Sequence, residues 1–475
     1  MHSWDERTDL LAHSVLGYAV ERLRVPKDTH WGARPAEELE AALAGMLSAV
    51  GVGGHEALRV FRDVLVPACR PMDDPMMLSY VPTAPTFAAT LFDLVVSASS
   101  IFAGHWESGA GAIAAENQAL AWLGELAGYP TDAGGCFVSG GSAANLSALV
   151  TGRHHAVARQ GRTDRPRRWA FAATSEVHAS VQAAARVMDV DVLVVPADEH
   201  GRMTGAALSA ACRADPDTAA GLFAVVASAG TTNAGAVDDL AGIADVCAER
   251  RLWLHVDGAY GCAALCAPSA RPRFSGIERS DSFSVDPHKW LFAPYDAGAL
   301  VYRDPTLAAA AHAQHGDYLD AIDRHEWNPA DYAFHLSRRA RGLPLWFSLV
   351  THGTDKYRDA VETTLATARA FAADVRARSD HFELLLEPDL SVVLFRCSGW
   401  DDEDYRDWTR KRAQDGTALI VPTRWQGETC YRVCVVNPGT TVEALAGLLD
   451  DLALGPLTAR PKASGLDSGP EASGK

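Results

Sequence analysis

Lysine is scarce in this chain of 475 residues. Lysine and arginine together number 43, and only six are lysines: Lys27, Lys289, Lys356, Lys411, Lys462 and Lys475. Wherever a bare positive charge suffices, the chain uses arginine, which does not give up its proton. No apolar run approaches eighteen residues, which argues against a membrane-spanning helix. The opening MHSWDERTDLLAHSV carries early acidic residues, so no signal peptide is expected. Excess positive charge is absent too: a net charge of −17 disfavours nucleic acid or an anionic membrane surface as a partner. Nine cysteines are scattered without a companion His or Cys set at zinc-ligand spacing, even around the pairs Cys262/Cys266 and Cys430/Cys434. No metal is therefore expected, and the thiols read as small buried groups in a reduced cytoplasm. A phosphate loop of the G-K-[ST] kind and a G-x-G-x-x-G dinucleotide turn are both missing.

What remains is an ordinary globular composition, 48% hydrophobic and 22% charged, long enough for two or three domains. Residues 1 to about 65 repeat apolar positions at helical spacing, as in WDERTDLLAHSVLGYAVERL and AEELEAALAGMLSAV. SYVPTAPT (79–86) reads as a loop, and NQALAWLGELAGYP as a helix stopped by Gly128 and Pro130. Between 136 and 304, seven β-rich runs alternate with alanine-rich helices, among them CFVSG, RWAFAAT, DVLVVP, GLFAVVASAG and LWLHVDGAY. Continuous apolar strands with intervening helices predict a mostly parallel sheet covered on both faces, with ligands at the carboxyl ends of the strands. Residues 305–335 read as a mobile loop, and a smaller α/β unit follows from about 355. The expected division is an N-terminal helical segment (1–77), a large domain (78–350), a small domain (351–455) and a disordered Gly/Pro/Ser-rich tail (456–475).

The candidate chemistry sits at strand ends. Lys289 lies in SVDPHKWLFAP, among Pro287, Trp290, Leu291 and Phe292, where an amine stripped of water readily becomes a nucleophile. The bland alternative is a lysine whose stem packs on Trp290 while its ammonium reaches water. SGGSAANL (139–146) is a strand-to-helix turn whose backbone N–H groups can surround a phosphate. Asp257 closes the strand LWLHVD, where it either caps the next element or holds a proton on a heterocyclic nitrogen. His178 opens a helix in SEVHASV, as a capping residue or as an imidazole lying over a planar ring. Pyridoxal phosphate requires all four features: a phosphate cradle, a Schiff-base lysine, a carboxylate facing its ring nitrogen and a flat group over the ring.

These stretches, with SYVPTAPT, AGTTNAGAVDDL, DSFSVDPHKWLF, PYDAGALVYRD, LSRRARGLPLWFSL and YRVCVVNPGTT in the same order, resemble the group II pyridoxal-phosphate-dependent amino-acid decarboxylases. This is the family of aromatic-L-amino-acid and glutamate decarboxylases. The resemblance implies a fold-type I α/β enzyme with a seven-stranded, mostly parallel sheet, helices on both faces and a small C-terminal α/β domain. It also implies a homodimer embraced by the N-terminal segment, with active sites at the interface. The implied reaction converts an L-amino acid to its amine and carbon dioxide through a Schiff base and a quinonoid. By the same resemblance Lys289 holds the cofactor, Asp257 keeps the ring nitrogen protonated, and His178 and Ala259 pack its two faces. Gly141 and Ser142 bind the phosphate with His288 nearby, Thr232 lies on the Asp257 side, and Tyr80, Pro82 and Thr83 form the substrate loop.

Three departures from the family pattern matter. Aromatic decarboxylases carry a loop tyrosine that protonates Cα; here the position aligns near Pro329, and Tyr332 comes three residues later. Tyr332, His288 or His335 is then the expected acid. Alternatively, slow protonation lets dioxygen intercept the reaction and give an aldehyde, and a non-catalytic pyridoxal-phosphate-binding homologue is a third reading. Asp286 stands where asparagine is common, and Gly104, before His105 and Trp106, replaces an aromatic pocket residue.

Overall fold

Seven short apolar runs become strands because helices shield both of their faces. In the computed structural model, which describes residues 2–24, 32–160, 166–314 and 326–456, they are β1 (Gly134–Val138), β2 (Ala170–Thr174), β3 (Asp191–Val195), β4 (Leu222–Ser228), β5 (Trp253–Asp257), β6 (Ser282–Val285) and β7 (Gly298–Tyr302). They form one sheet in the order β1-β7-β6-β5-β4-β2-β3. Only β7 runs against the others, pairing antiparallel with both β1 and β6. Alternate residues feed opposite cores: Val225 and Ala227 of β4 join one, Ala224 and Val226 the other. The doubly covered parallel sheet expected from the sequence is therefore present.

A second sheet follows, formed by β8 (Phe382–Leu384), β9 (Val392–Cys397), β10 (Val421–Trp425) and β11 (Glu428–Cys434). Its order is β10-β11-β9-β8 and it is antiparallel throughout. Leu78 packs into its core, donating its N–H to the Leu419 carbonyl at 3.0 Å and accepting from the Cys434 N–H at 2.9 Å. The segment before the first sheet is thus stitched to the second sheet.

The helices Glu6–Arg24 and Ala36–Leu43 contain no buried residue. Among the described residues, no helix is long and apolar enough to cross a membrane.

The loop expected over 305–335 is corrected at its start. Pro305–His312 is a helix, begun by Asp304 accepting from the Thr306 N–H and by a proline that needs no helical acceptor. Residues 315–325, and the tail from 457 onward that was expected to be disordered, lie outside the described residues.

Candidate active site

The carboxyl ends of β1, β4, β5 and β6 surround a cavity of about 490 Å³. At the end of β1 the chain turns through Ser139–Gly140 into the helix Gly141–Gln160, whose first N–H groups have no carbonyl of their own helix to bond. Glycine is required at 141 because a β-carbon there would lie 2.8 Å from Ala259 Cβ and 3.3 Å from Asp286 Oδ2. The result is a bare backbone concavity at a helix N-terminus, suited to an anion.

Lys289 lies one turn beyond β6, in the short helix Pro287–Trp290. Its apolar neighbours anchor that turn. Trp290 is fully buried, stacks on Tyr260 with ring centroids 5.2 Å apart, and donates its indole N–H to Thr364 Oγ1 at 2.9 Å. Thus the packing of Trp290 sets where the lysine points, and the amine itself is not spent on the core. Lys289 Nζ lies 2.9 Å from Asp286 Oδ2, while Asp286 Oδ1 is buried with no partner among the described residues. Burial works against the charge on Lys289, but Asp286, with Asp257 and Tyr295, more than offsets it and leaves the amine above its ordinary pKa.

Asp257 ends β5 and is 8% exposed. Its Oδ2 accepts from Asn145 Nδ2 at 2.7 Å and its Oδ1 from the Ala259 N–H at 3.1 Å. Asn145 also donates to Ser180 Oγ at 3.1 Å, and Ser180 Oγ lies 2.8 Å from His178 Nδ1. His178 is both things expected of it: it caps the helix Ala179–Met188 through Nδ1, and it lines the cavity. His288 Nδ1 accepts from the Ala297 N–H at 3.1 Å, which leaves Nε2 to carry the proton, 3.8 Å from Asp286 Oδ2. Burial, partly offset by Asp286, holds His288 below the usual imidazole value, so it is uncharged at neutral pH.

Most residues singled out by sequence meet here: Lys289, Asp257, His178, His288, Gly141, Ser142, Thr232, Ala259 and Tyr80 all line the cavity. Three do not. Pro82 is buried away from it, and Thr83 spends its hydroxyl on the Ala293 carbonyl at 3.1 Å. Tyr332 lies in the second core, stacked on Trp327 at 4.3 Å, with Tyr302 donating to its carbonyl at 3.0 Å. Burial raises its phenol above the ordinary value, and the structure does not bring it to the cavity. The other loop candidate, His335, does not line the cavity either, and burial holds it at about 4. At Gly104 a β-carbon would meet the Leu336 carbonyl oxygen and Phe102 Cζ, each at 2.6 Å, so packing between these segments explains this glycine.

Sequence reading missed Asn145, Ser180 and Arg432. Arg432 donates through Nε to the Thr232 carbonyl at 2.8 Å and through Nη1 to the Tyr80 carbonyl, tying two rims of the cavity together from the small sheet. Asn145 had a signal, since it lies one helical turn beyond the glycines of SGGSAANL; Arg432 had none, because its contacts reach across 200 and 352 positions.

Pyridoxal phosphate fits this donor set. The concavity at Gly141–Ser142 suits its phosphate, the amine of Lys289 its aldehyde and the Asp257 carboxylate its ring nitrogen, with His178 and Ala259 both lining the space between.

A protein-family model described as the pyridoxal-dependent decarboxylase conserved domain matches residues 56–398. An aromatic-L-amino-acid decarboxylase of Bacillus atrophaeus is 30% identical over 454 residues, covering 91% of this chain and 93% of the relative. An L-2,4-diaminobutyrate decarboxylase of Rhizobium meliloti is 29% identical, covering 88% of this chain and 82% of the relative. The crystal structure of Oryza sativa TDC with PLP and tryptamine has a TM-score of 0.87 at 25% identity, covering 96% of this chain and 98% of that one.

Proposed function

Because the chain belongs to the pyridoxal-dependent decarboxylase family and is a pyridoxal-phosphate-dependent amino-acid decarboxylase, we propose that it converts one L-amino acid to its amine and carbon dioxide using the cavity around Lys289. The observation that carries this reading is the convergence of Lys289, Asp257, His178 and the Gly141–Ser142 turn on one cavity. Bound pyridoxal phosphate supplies an electron sink for the pair released when the bond from Cα to the carboxylate breaks.

The protein's own groups do the rest. Lys289 Nζ would hold the cofactor through its aldehyde. Asp257 keeps a proton on the ring nitrogen. His178 and Ala259, which line the cavity, would pack against the two faces of the ring and orient the bound substrate. The N–H groups of residues 141 and 142 hold the phosphate, and His288 Nε2–H stands beside it as a neutral donor. Tyr80, held through its carbonyl by Arg432, forms the substrate side.

The family members with similar sequences are named for aromatic amino acids and for diaminobutyrate, so the side chain accepted here is left to a screen. A second reading is favoured by one observation, the burial of Tyr332 away from the cavity. It is oxidative deamination, in which amino acid, dioxygen and water give aldehyde, carbon dioxide, ammonia and hydrogen peroxide.

The enzyme is proposed to work as a homodimer in the cytoplasm. Leu10, Leu16 and Val20 of the first helix and Leu91, Leu94 and Val95 of Phe87–Ala98 are exposed in the single chain, and a second copy would cover them. All nine cysteines are free thiols, as a reducing compartment would keep them.

Incubating purified holoenzyme with individual L-amino acids, with and without dioxygen, tests the reaction. Equal amine and carbon dioxide in both atmospheres is the expected result. Aldehyde and peroxide only in dioxygen would replace the first reading by the second, and no turnover of any amino acid would refute both.

A further inference from the structure

Asp257 and His178 are joined to a buried row of polar groups that runs back into the sheet. Trp253, His255 and Asp257 alternate along β5 and so face the same side, where the helix carrying Asn145 packs. His255 is opposite Ser282 of β6 in the strand register. Four contacts connect them: Trp253 Nε1 to Ser282 Oγ at 3.0 Å, Ser282 Oγ to His255 Nδ1 at 2.9 Å, His255 Nε2 to Asn145 Oδ1 at 3.0 Å, and Asn145 Nδ2 to Asp257 Oδ2 at 2.7 Å. His255, Asn145 and Ser282 are all completely buried.

The chemistry of the two ends allows this row one direction. An indole nitrogen can only donate, so Ser282 Oγ accepts from Trp253 and its own hydrogen turns to His255 Nδ1. His255 then carries its proton on Nε2 and donates it to Asn145 Oδ1. That fixes the amide, whose Nδ2 hydrogens go to the Asp257 carboxylate and to Ser180 Oγ. Ser180, having accepted, donates to His178 Nδ1, which also receives the Ser180 backbone N–H at 3.2 Å. His178, when neutral, therefore keeps its proton on Nε2. Burial, opposed only in part by the Asp257 charge, holds His255 at about 4, so the neutral tautomer that the row requires is the one present at neutral pH.

We propose that His255 is a positioning residue for the cofactor: acting through Asn145, it sets the Asp257 carboxylate facing the ring nitrogen and the tautomer of His178 over the ring face as one unit. This rests on the roles given above to Asp257 and His178. A single amide thus couples two contacts that approach the cofactor from different sides, and a hydrogen bond lost deep in the sheet is felt at both. Groups that orient metal-ligating residues from behind change metal affinity by about 10- to 100-fold when removed, and a similar scale is expected for this cofactor.

The test measures pyridoxal phosphate binding to the apoenzyme by equilibrium dialysis, and the pH midpoint of the bound cofactor's visible absorbance, in His255→Phe, His255→Gln and Asp257→Asn. His255→Phe fills the same space but cannot donate to Asn145. It should weaken binding about tenfold or more. It should also raise the absorbance midpoint by about half a unit or more, because a ring nitrogen that loses its proton no longer repels the proton on the lysine linkage. In His255→Gln the side-chain amide can donate to the same oxygen, and it should recover most of both effects.

A folded His255→Phe with wild-type affinity and midpoint, beside an Asp257→Asn that changes both, would overturn the coupling and leave the site reading standing. If Asp257→Asn also changes neither, the site reading itself falls. Should His255→Phe fail to fold, Ser282→Ala keeps His255 but frees its Nδ1. It should move both quantities in the same direction, and unchanged values would overturn the proposal.

Discussion

Two buried clusters of charge in this molecule are built from similar parts and end differently. At the joint between the long helix Trp106–Ala127 and the segment 338–342, Arg338 meets Glu116 in a two-pronged pair at 2.7 and 2.8 Å. The Gly342 N–H also donates to Glu116 at 2.7 Å, and Arg338 donates to the Ala103 carbonyl at 2.8 Å. Both oxygens of that carboxylate are used; among the described residues, Arg338 Nε alone is left without a partner and no open space adjoins the pair. At the cavity, Lys289 meets Asp286 at 2.9 Å, yet one oxygen of Asp286 has no partner among the described residues, and the cluster faces 490 Å³ of space. The first cluster is closed and holds segments together. The second is held open by its surroundings, which is the condition for receiving a ligand. Burial and ion pairing alone do not mark a functional site, nor does a single buried unpaired atom; a buried charged pair that opens onto a cavity does.

Breaking each cluster should therefore have opposite signatures. Lys289→Ala removes the one nucleophile of the open cluster. Turnover should fall on the order of 10³-fold or more while the fold persists, measured by amine release beside circular dichroism. Glu116→Ala leaves Arg338 buried and unpaired, and should cost about 3–5 kcal/mol of stability, read from urea unfolding. The molecules that remain folded should keep the cofactor's visible absorbance. If Lys289→Ala lowered stability as much as Glu116→Ala, the distinction between the clusters would be lost.

A finer test swaps charge within the open cluster. Lys289 must be uncharged to attack an aldehyde, and Asp286 does most to hold its pKa up against burial. The rate at which apoenzyme takes up pyridoxal phosphate should therefore climb as pH rises through the alkaline range and the ammonium loses its proton. In Asp286→Asn burial is left with less opposition, the amine pKa falls, and that climb should move to lower pH. Uptake near neutral pH should then be several-fold faster, on the scale of 1.36 kcal/mol for each pH unit moved. Stopped-flow absorbance at a series of pH values checks this, and an unmoved profile would mean that the 2.9 Å contact does not govern the lysine.

The same contrast explains what could be read before any coordinates were known. Lys289, Asp257, His178 and the Gly141 turn were legible because each sits where a strand ends, and strand ends in a parallel sheet converge by construction. The seven strands were legible for a related reason, since runs buried on both faces carry no polar alternation. Arg432 was not legible, because its contacts with Tyr80 and Thr232 join residues some 200 to 350 positions apart. The fate of Arg338 was equally hidden, because Glu116 arrives from another helix 222 positions away. His255 stood in plain view two positions before Asp257, on the same face of the strand, but its spacing gave no hint that an asparagine would complete the row. Local pattern thus reports where a backbone ends and which face a residue takes, while pairing across the fold decides whether a polar group is spent or free.

Tyr332 provides the smallest effect and the sharpest discrimination. By alignment it falls near a catalytic position, but in the fold it belongs with the spent groups: its ring stacks on Trp327 and its carbonyl accepts from Tyr302. Neither contact uses the phenol oxygen, so Tyr332→Phe should change stability by less than about 1 kcal/mol, as for a substitution that preserves shape. Turnover and the ratio of amine to aldehyde should stay within about twofold of the parent, a barrier change of less than half a kcal/mol. A switch from amine to aldehyde in Tyr332→Phe would show that this residue leaves the core to reach the reacting carbon. Its buried position would then be a resting arrangement of the active site, and the boundary drawn here between closed and open regions would have to move to include it.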